Sequence, residues 1–315
     1  MKMRKEFMKR GFRTPRKSGF VLITVLFIST LLLSAATTFA WFARQEMRRA
    51  SHEEFALVSR SLASVACQII GSWIGGDSNN YDSELELLYM PDYPFLLFFG
   101  NWEVTAKITP QDRLVPINGL FLPDGITMKT EFEYVWQEFW KQMGNDQLSL
   151  LILDFLDSDT EARPGSMEEE YYVNRKISHL SELLKIKKIE RDMVYAQPDS
   201  DKQTIDRFFT VYGDGPINVN LAPREILAAL DSEIGPDVAD AIAIYRSENI
   251  IEGEKDLVKI PGFPMAAHTR LSNVLAYKSN FFLLDMKVTN ANRERNFSVM
   301  LKRNGQACQI LSWGE

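Results

Sequence analysis

From Phe20 to Ala43 the chain runs twenty-four residues without a formal charge, and Arg44 ends the run. A helix rises about 1.5 Å per residue, so this stretch is long enough for a bilayer's hydrocarbon core, which takes roughly 20 apolar residues. Such a run at the start of a chain predicts a membrane-spanning helix rather than the buried helix of a soluble core. Residues 1–19 carry Lys2, Arg4, Lys5, Lys9, Arg10, Arg13, Arg16 and Lys17 against a single acid, Glu6. Basic residues stay on the cytoplasmic side, so everything after Arg44 is expected outside the cytoplasm. The 315-residue chain has a formal net charge of −6, and taking away the +7 of residues 1–19 leaves −13 for the rest. An exported part that acidic is a poor match for nucleic-acid phosphates.

Beyond the span the helical pattern continues. Phe55, Leu62, Ala66, Ile69 and Trp73 form one apolar face, with three- or four-residue steps after the first, and Gly75-Gly76 stops the helix. Residues 77–97 read as loop. Trp102, Val104, Ala106 and Ile108 alternate with polar positions, which predicts a half-buried strand over 101–108. Residues 112–118 are expected to pair with it as an edge, because Pro116 bars them from a central place. From about 129 to 277 the pattern is helical, with Phe132, Val135, Trp136, Phe139 and Trp140 as a core stripe. Three strand-like runs follow, 281–289, 296–302 and 307–313, the last two joined by Asn304-Gly305, a strong two-residue hairpin signal. The expectation is an α+β chain: a long N-terminal helix packed on an antiparallel sheet, with a large helical insertion between the early and late strands.

Candidate chemistry is sparse. Asp157, Asp159 and Glu161 alternate along one turn, with Glu168, Glu169 and Glu170 after an Arg-Pro-Gly. Hard oxygen donors so spaced are how a loop wraps Ca²⁺; any of the three glutamates could close the shell, with Glu168 the candidate alongside Asp157, Asp159 and Glu161. The competing reading is a solvated acidic loop whose aspartates cap helices and which Arg163 partly neutralises. The three histidines are scattered and no Cys/His pair has zinc spacing. The sequence holds no Gly-x-Ser-x-Gly, no phosphate-binding Gly-rich loop and no His-Glu-x-x-His, so no enzymatic activity and no required cofactor is expected.

The junction at residue 19 resembles a type IV prepilin leader: basic residues, then Gly19, then aromatic Phe20 and a long apolar helix. The resemblance implies cleavage after Gly19 by a membrane prepilin peptidase and N-methylation of Phe20. Three later stretches resemble the K-type minor pseudopilins of type II secretion (general secretion pathway protein K family). They are LILDFLDSDTEARPGSMEEEYY, DGPINVNLAPREILAAL and KSNFFLL, in that order. The family implies a pilin-like fold with an insert of two SAM-like, helix-hairpin-helix-like subdomains. The implied domains are a leader at 1–19, a span at 20–43, a first pilin-like part at 44–128, helical subdomains at 129–216 and 217–277, and closing strands at 278–315. It also implies Ca²⁺ binding. A pilin packs its upper helix on its last strand, which would bring Cys67 near Cys308, and disulfides form outside the cytoplasm.

The departure is Thr24, the fifth residue after the cleavage site, where most pilins and pseudopilins have Glu. That Glu is thought to neutralise a neighbouring subunit's N-terminal ammonium within an apolar helix bundle, where an unpaired charge is costly. A subunit that enters first has no need of it, so Thr24 implies the tip of the filament. The resemblance therefore implies a single-pass inner-membrane protein, N-terminus cytoplasmic and C-terminal domain periplasmic. It would cap a periplasmic pseudopilus and help initiate its assembly for export across the outer membrane. Its implied partners are the I and J minor pseudopilins, through them the major pseudopilin, the peptidase and inner-membrane lipid.

Residues 217–263 also resemble a helix-hairpin-helix DNA-binding module of the competence-protein kind, which would make the chain a membrane-anchored DNA-binding protein of a competence-type pilus. That module binds phosphate through backbone amides of a Gly-x-Gly hairpin with basic neighbours. Here Pro236 lacks an amide donor, and the segment has four basic residues (Arg224, Arg246, Lys255, Lys259) against nine acidic ones. Nucleic acid is therefore the disfavoured partner.

Overall fold

The computed structural model describes residues 18–90, 93–196 and 202–315. Helix α1 (Ser18–Gly76) is the first element, and the chain divides into two compact units at Val58/Ser59. In the first unit the apolar side chains stand bare: Phe20, Leu26, Leu33, Phe39 and Trp41 are all exposed. The most apolar 18-residue window has a mean hydropathy of 2.3, so by length and composition the helix can cross a membrane. The hydroxyls of Thr24, Thr30, Thr37 and Thr38 each donate to a carbonyl one turn back, at 2.8–2.9 Å. A hydrocarbon surround would penalise any of those donors left open.

In the second unit the end of α1 lies on a five-stranded antiparallel sheet. Its strands are β1 (Phe95–Phe99), β2 (Trp102–Pro110), β3 (Phe281–Asn290), β4 (Arg293–Asn304) and β5 (Ala307–Gly314), hydrogen-bonded in that order. Register follows the alternation in sequence: Ala106 pairs with Met286, and Met286 with Phe297, all facing the helix. Small Ala63, Ala66 and Cys67 with Ile70 and Ile74 form the helix face buried on them. Gly75 permits the closest approach. A Cβ there would meet the Gln306 backbone at 2.5 Å, in the Asn304–Ala307 turn between β4 and β5. That turn has Gly305 at φ +61°, the left-handed conformation its Asn-Gly signal predicts.

The expected loop at 77–97 contains β1, the sheet edge, paired Phe95 to Ala106 and Phe99 to Trp102. The expected edge strand at 112–118 does not pair with β2. Its Val115–Pro116 instead runs parallel to Phe209–Thr210. Both sides of β2 are already taken, by β1 and β3, so the chain leaves the sheet after Pro110 and returns at Phe281.

Between those points lies the helical insert: α2 (Thr130–Met143), α3 (Asp146–Leu156), α4 (Arg224–Ala229), α5 (Pro236–Glu248) and α6 (Met265–Leu271), with short helical turns among them. The aromatic stripe of α2 is buried as its spacing predicts, and Phe139 meets Phe208 and Phe209 with ring centroids 4.7 and 4.8 Å away. Gly144, at φ +66°, ends α2 and donates to the carbonyls of Trp140 and Lys141.

Three asparagines, half-buried Asn118 and buried Asn218 and Asn220, brace the insert. Asn118 donates to the carbonyls of Ile177 and Val211 and accepts from the Ile177 amide. Asn220 does the same with both backbone groups of Ile251. Asn218 donates to Asp82 O and Ser279 Oγ and accepts from the Asn220 amide. The Ile-Asn-Val-Asn stretch thus has a physical role: each buried amide side chain satisfies backbone that no helix or strand reaches.

Candidate functional site

Gly19 is helical with nothing near its Cα side, Phe20 is exposed, and the Thr24 hydroxyl donates to Phe20 O at 2.9 Å. With its proton committed to its own helix and no charge, Thr24 offers nothing to a neighbouring ammonium comparable to a carboxylate. Residues 1–17 of the expected leader lie outside the described residues.

The acidic loop after α3 is built around an arginine. Asp154 and Asp157 are buried, and Arg163 bridges them, with its Nη2 2.8 Å from Asp157 Oδ2 and its Nε 3.3 Å from Asp154 Oδ1. The same Nη2 donates to Ile126 O at 2.7 Å, and the guanidinium stands over the Phe121 ring. Burial pushes the Asp157 carboxyl up to about 6, against the opposing pull of Arg163. Asn174, held at a left-handed φ of +45°, donates to Asp159 O at 2.5 Å and to Glu168 Oε1 at 2.9 Å. Burial raises the Glu168 pKa.

Of the four expected Ca²⁺ ligands, the structure places three, Asp157, Asp159 and Glu168, around this arginine–asparagine core. Asp159 Oδ1 accepts the Glu161 amide, closing a tight turn, and the Glu161 side chain is exposed. Among the described residues no three His, Cys, Asp or Glu side chains converge as a metal's ligands do. Yet Asp157 Oδ1, Glu168 Oε2 and Asn174 Oδ1 are buried oxygens with no hydrogen-bond partner. Hard, unpartnered oxygens are the donor type that Ca²⁺ takes. Asp154 and Asn174 were not singled out from sequence. Asp154 hides inside an apolar helix pattern, and Asn174 reaches the loop only through the fold.

Cys67 and Cys308 both belong to the cluster between α1 and the sheet, and both are free thiols. Burial pushes the Cys67 thiol up to about 11, with the Cys308 charge adding to the rise.

In the helix-hairpin-helix-like stretch three of the four basic residues are committed to partners within the fold, and Lys255 is exposed. Arg224 is ion-paired with Asp240, Lys259 with Asp256 at 2.7 Å, and Arg246 turns inward to donate to the carbonyls of Val219 and Ala222. Arg270 is forked onto Asp231 at 2.7 Å and also meets Glu233. Gly235, the hairpin glycine, is in extended conformation and is followed directly by Pro236 as the first residue of α5. Cations so committed leave little for counterion release on a nucleic acid.

Neither a protein-family model nor a curated protein matches the sequence. A solved structure does: the GspK-GspI-GspJ complex from the enterotoxigenic Escherichia coli type 2 secretion system, at 16% identity and a TM-score of 0.61. The match covers 86% of this chain and 99% of that chain. At that identity the likeness is one of fold, and the fold is the α+β architecture that the resemblance to the K-type minor pseudopilins implies: a long apolar N-terminal helix, an antiparallel sheet and mixed helical and strand content.

Proposed function

We propose that this chain is a minor pseudopilin of a type II secretion machine. It spans the inner membrane through α1, keeps its N-terminus in the cytoplasm, and works in the periplasm at the tip of the pseudopilus, where it helps start assembly. Its partners are the I- and J-type minor pseudopilins, and it is a substrate of the prepilin peptidase, not an enzyme. The observation that carries the pseudopilin reading is the fold likeness to a chain solved in complex with GspI and GspJ, together with a helix apolar enough to span a bilayer. The tip assignment rests on Thr24, whose hydroxyl is satisfied by Phe20 O.

The acidic loop is the candidate place for Ca²⁺. Asp157, Glu168 and Asn174 supply unpartnered oxygens, and the bound ion would add the positive charge that this buried carboxylate cluster holds now only through Arg163.

The test is expression with active prepilin peptidase and the cell's other minor pseudopilins. The extracted protein is expected to lack residues 1–19 by intact mass and to co-purify with the I- and J-type subunits. Labelled protein in sheared pseudopili is expected at one end only. Thr24→Glu is expected to let the subunit appear along the shaft. Full-length protein, or label along the whole wild-type filament, overturns cleavage and tip placement respectively.

A further inference from the structure

Where the apolar run of α1 ends, one helix face changes from an aromatic ring to unpaired cations. Trp41, Arg44, Arg48 and His52 follow one another at three- and four-residue steps, so they share a face, and all four are exposed. The nearby acids, Glu46, Glu53 and Glu54, stand elsewhere on the helix. Neither Arg44 nor Arg48 has an acid three or four residues away in either direction. Arg49 is paired with Glu46 at 3.2 Å, whereas among the described residues Arg44 and Arg48 have no ion pair. Arg44 and Arg48 are themselves four residues apart, a spacing at which like charges repel. An anion held between them would turn that repulsion into attraction.

The height of this face along the helix says which anion. The charge-free run Phe20–Ala43 rises about 36 Å, against roughly 30 Å of hydrocarbon. Trp41, 60% exposed, stands at the end of that run, where an amphipathic ring favours the membrane–water boundary. Arg44 lies about 4.5 Å and Arg48 about 10.5 Å further along the axis. The headgroup layer is about 5–8 Å thick on each side. Helical side chains lean toward the N-terminus, which here is toward the bilayer, so the long stem of Arg48 reaches back into that layer. A guanidinium matches a phosphate with two parallel bonds. A zwitterionic headgroup brings its own ammonium beside the phosphate. An anionic headgroup brings no such competitor.

We propose that Trp41, Arg44 and Arg48 form a site for an anionic phospholipid, with its phosphate between the two guanidinium groups and its glycerol beside the indole. This rests on α1 spanning a membrane, in either orientation. The test is the full chain in bilayers that mix brominated phosphatidylglycerol with plain phosphatidylcholine, and the reverse. Trp41 fluorescence is taken as the difference between wild type and Trp41→Phe. Bromine quenches only at short range, so the signal reports lipid beside Trp41 and not lipid drawn to the basic residues before the span. Phosphatidylglycerol is expected to be preferred at Trp41 by at least about 5-fold, the scale of one basic residue at an anionic surface. The Arg44→Gln/Arg48→Gln double variant is expected to lose the preference, Arg48→Lys to keep part of it, and Arg49→Gln to leave it unchanged. Equal quenching by the two lipids in wild type, or a preference that survives the double variant, overturns the proposal. Loss of the preference on adding soluble glycerol phosphate overturns the lipid source, leaving a free-phosphate site. If neither lipid quenches Trp41, the membrane reading of α1 falls, and the proposal with it.

Discussion

Replacing Arg303 with Met leaves a fully buried carboxylate without its cation. Asp82 is 0% exposed, and Arg303 donates to both of its oxygens, at 2.9 Å from Nη2 and 3.3 Å from Nη1. The Arg303 side chain is itself only 7% exposed. It also donates to the Tyr89 hydroxyl at 2.9 Å and stacks over the Phe282 ring. Methionine keeps much of the apolar stem and removes the charge, so the change isolates the electrostatics. Breaking one partner of a buried pair costs about 3–5 kcal/mol. For a unit of this size each kcal/mol shifts Tm by roughly 2–4 °C, so the expected loss is roughly 6–20 °C at pH 7.5.

The pH dependence gives the sharper signature. Burial raises the Asp82 pKa, and the charge and hydrogen bonds of Arg303 pull it down. Without Arg303 the folded-state pKa rises further above the unfolded value of about 3.9. A carboxyl raised on folding favours the folded state while protonated and loses that contribution as pH rises through the folded pKa. The penalty of Arg303→Met, taken relative to wild type at each pH, should therefore be largest at pH 7.5 and shrink toward pH 4.5. Asp82→Asn in the same background should recover part of it, because the amide oxygen can still accept the Ser279 N–H. Thermal unfolding followed by tryptophan fluorescence and circular dichroism measures both. A loss below about 1 kcal/mol, or one equally large at pH 4.5, would refute the reasoning, since an unpaired buried charge cannot behave so.

Two further perturbations test the acidic loop and the helix–sheet contact. Calcium at millimolar concentration is expected to raise Tm at pH 7.5 and to do so less at pH 5.5, where protonation of Asp157, with its carboxyl pushed up to about 6, competes with the ion. Asp157→Asn should abolish the rise, and a calcium effect unchanged in that variant, or absent from wild type, counts against the site. Gly75→Ala should destabilise by about 1–3 kcal/mol, because its Cβ would stand 2.5 Å from the Gln306 backbone, whereas Gly76→Ala meets nothing within 4 Å and should stay within about 0.5 kcal/mol. Equal denaturation midpoints for the two alanine variants would show that the turn yields freely.

What the sequence made legible follows from the range of the interactions involved. The long apolar helix, the β2 alternation and the Asn304-Gly305 turn are local signals, and each is found where its residues predict. Strand β1 was hidden because Phe95–Phe99 is uniformly apolar, with no alternation to distinguish it from buried loop. Residues 115–116 found their partner at 209–210, a pairing that no local pattern encodes. In the acidic loop, Arg163 as the neutralising cation was readable from its neighbours. The role of Asn174 depends on a chain reversal that brings it back to Asp159 and Glu168.

The insert interrupts the sheet between β2 and β3, yet those strands pair over eight residues without distortion, from Glu103–Thr289 to Pro110–Phe282. Two buried carboxylates explain how. Asp112, the second residue past β2, accepts the amides of Asn280 and Phe281 at 2.5 and 2.8 Å, which fixes the returning chain beside the departing one. Asp82, in the loop after α1, accepts the Ser279 amide, and its own amide donates to Tyr277 O. Asn218 then ties the insert to both, donating its backbone N–H to Asp112 O and its side chain to Asp82 O. Burial pushes the Asp112 carboxyl up to about 6, the expected mark of an acid held where only backbone amides solvate it. Because the same few polar groups close the sheet and hold the insert, neither can loosen without exposing unpaired charge in the other. The residues from Ser59 to Glu315 should therefore unfold as one cooperative unit, and the insert cannot serve as a tethered module that folds and moves on its own.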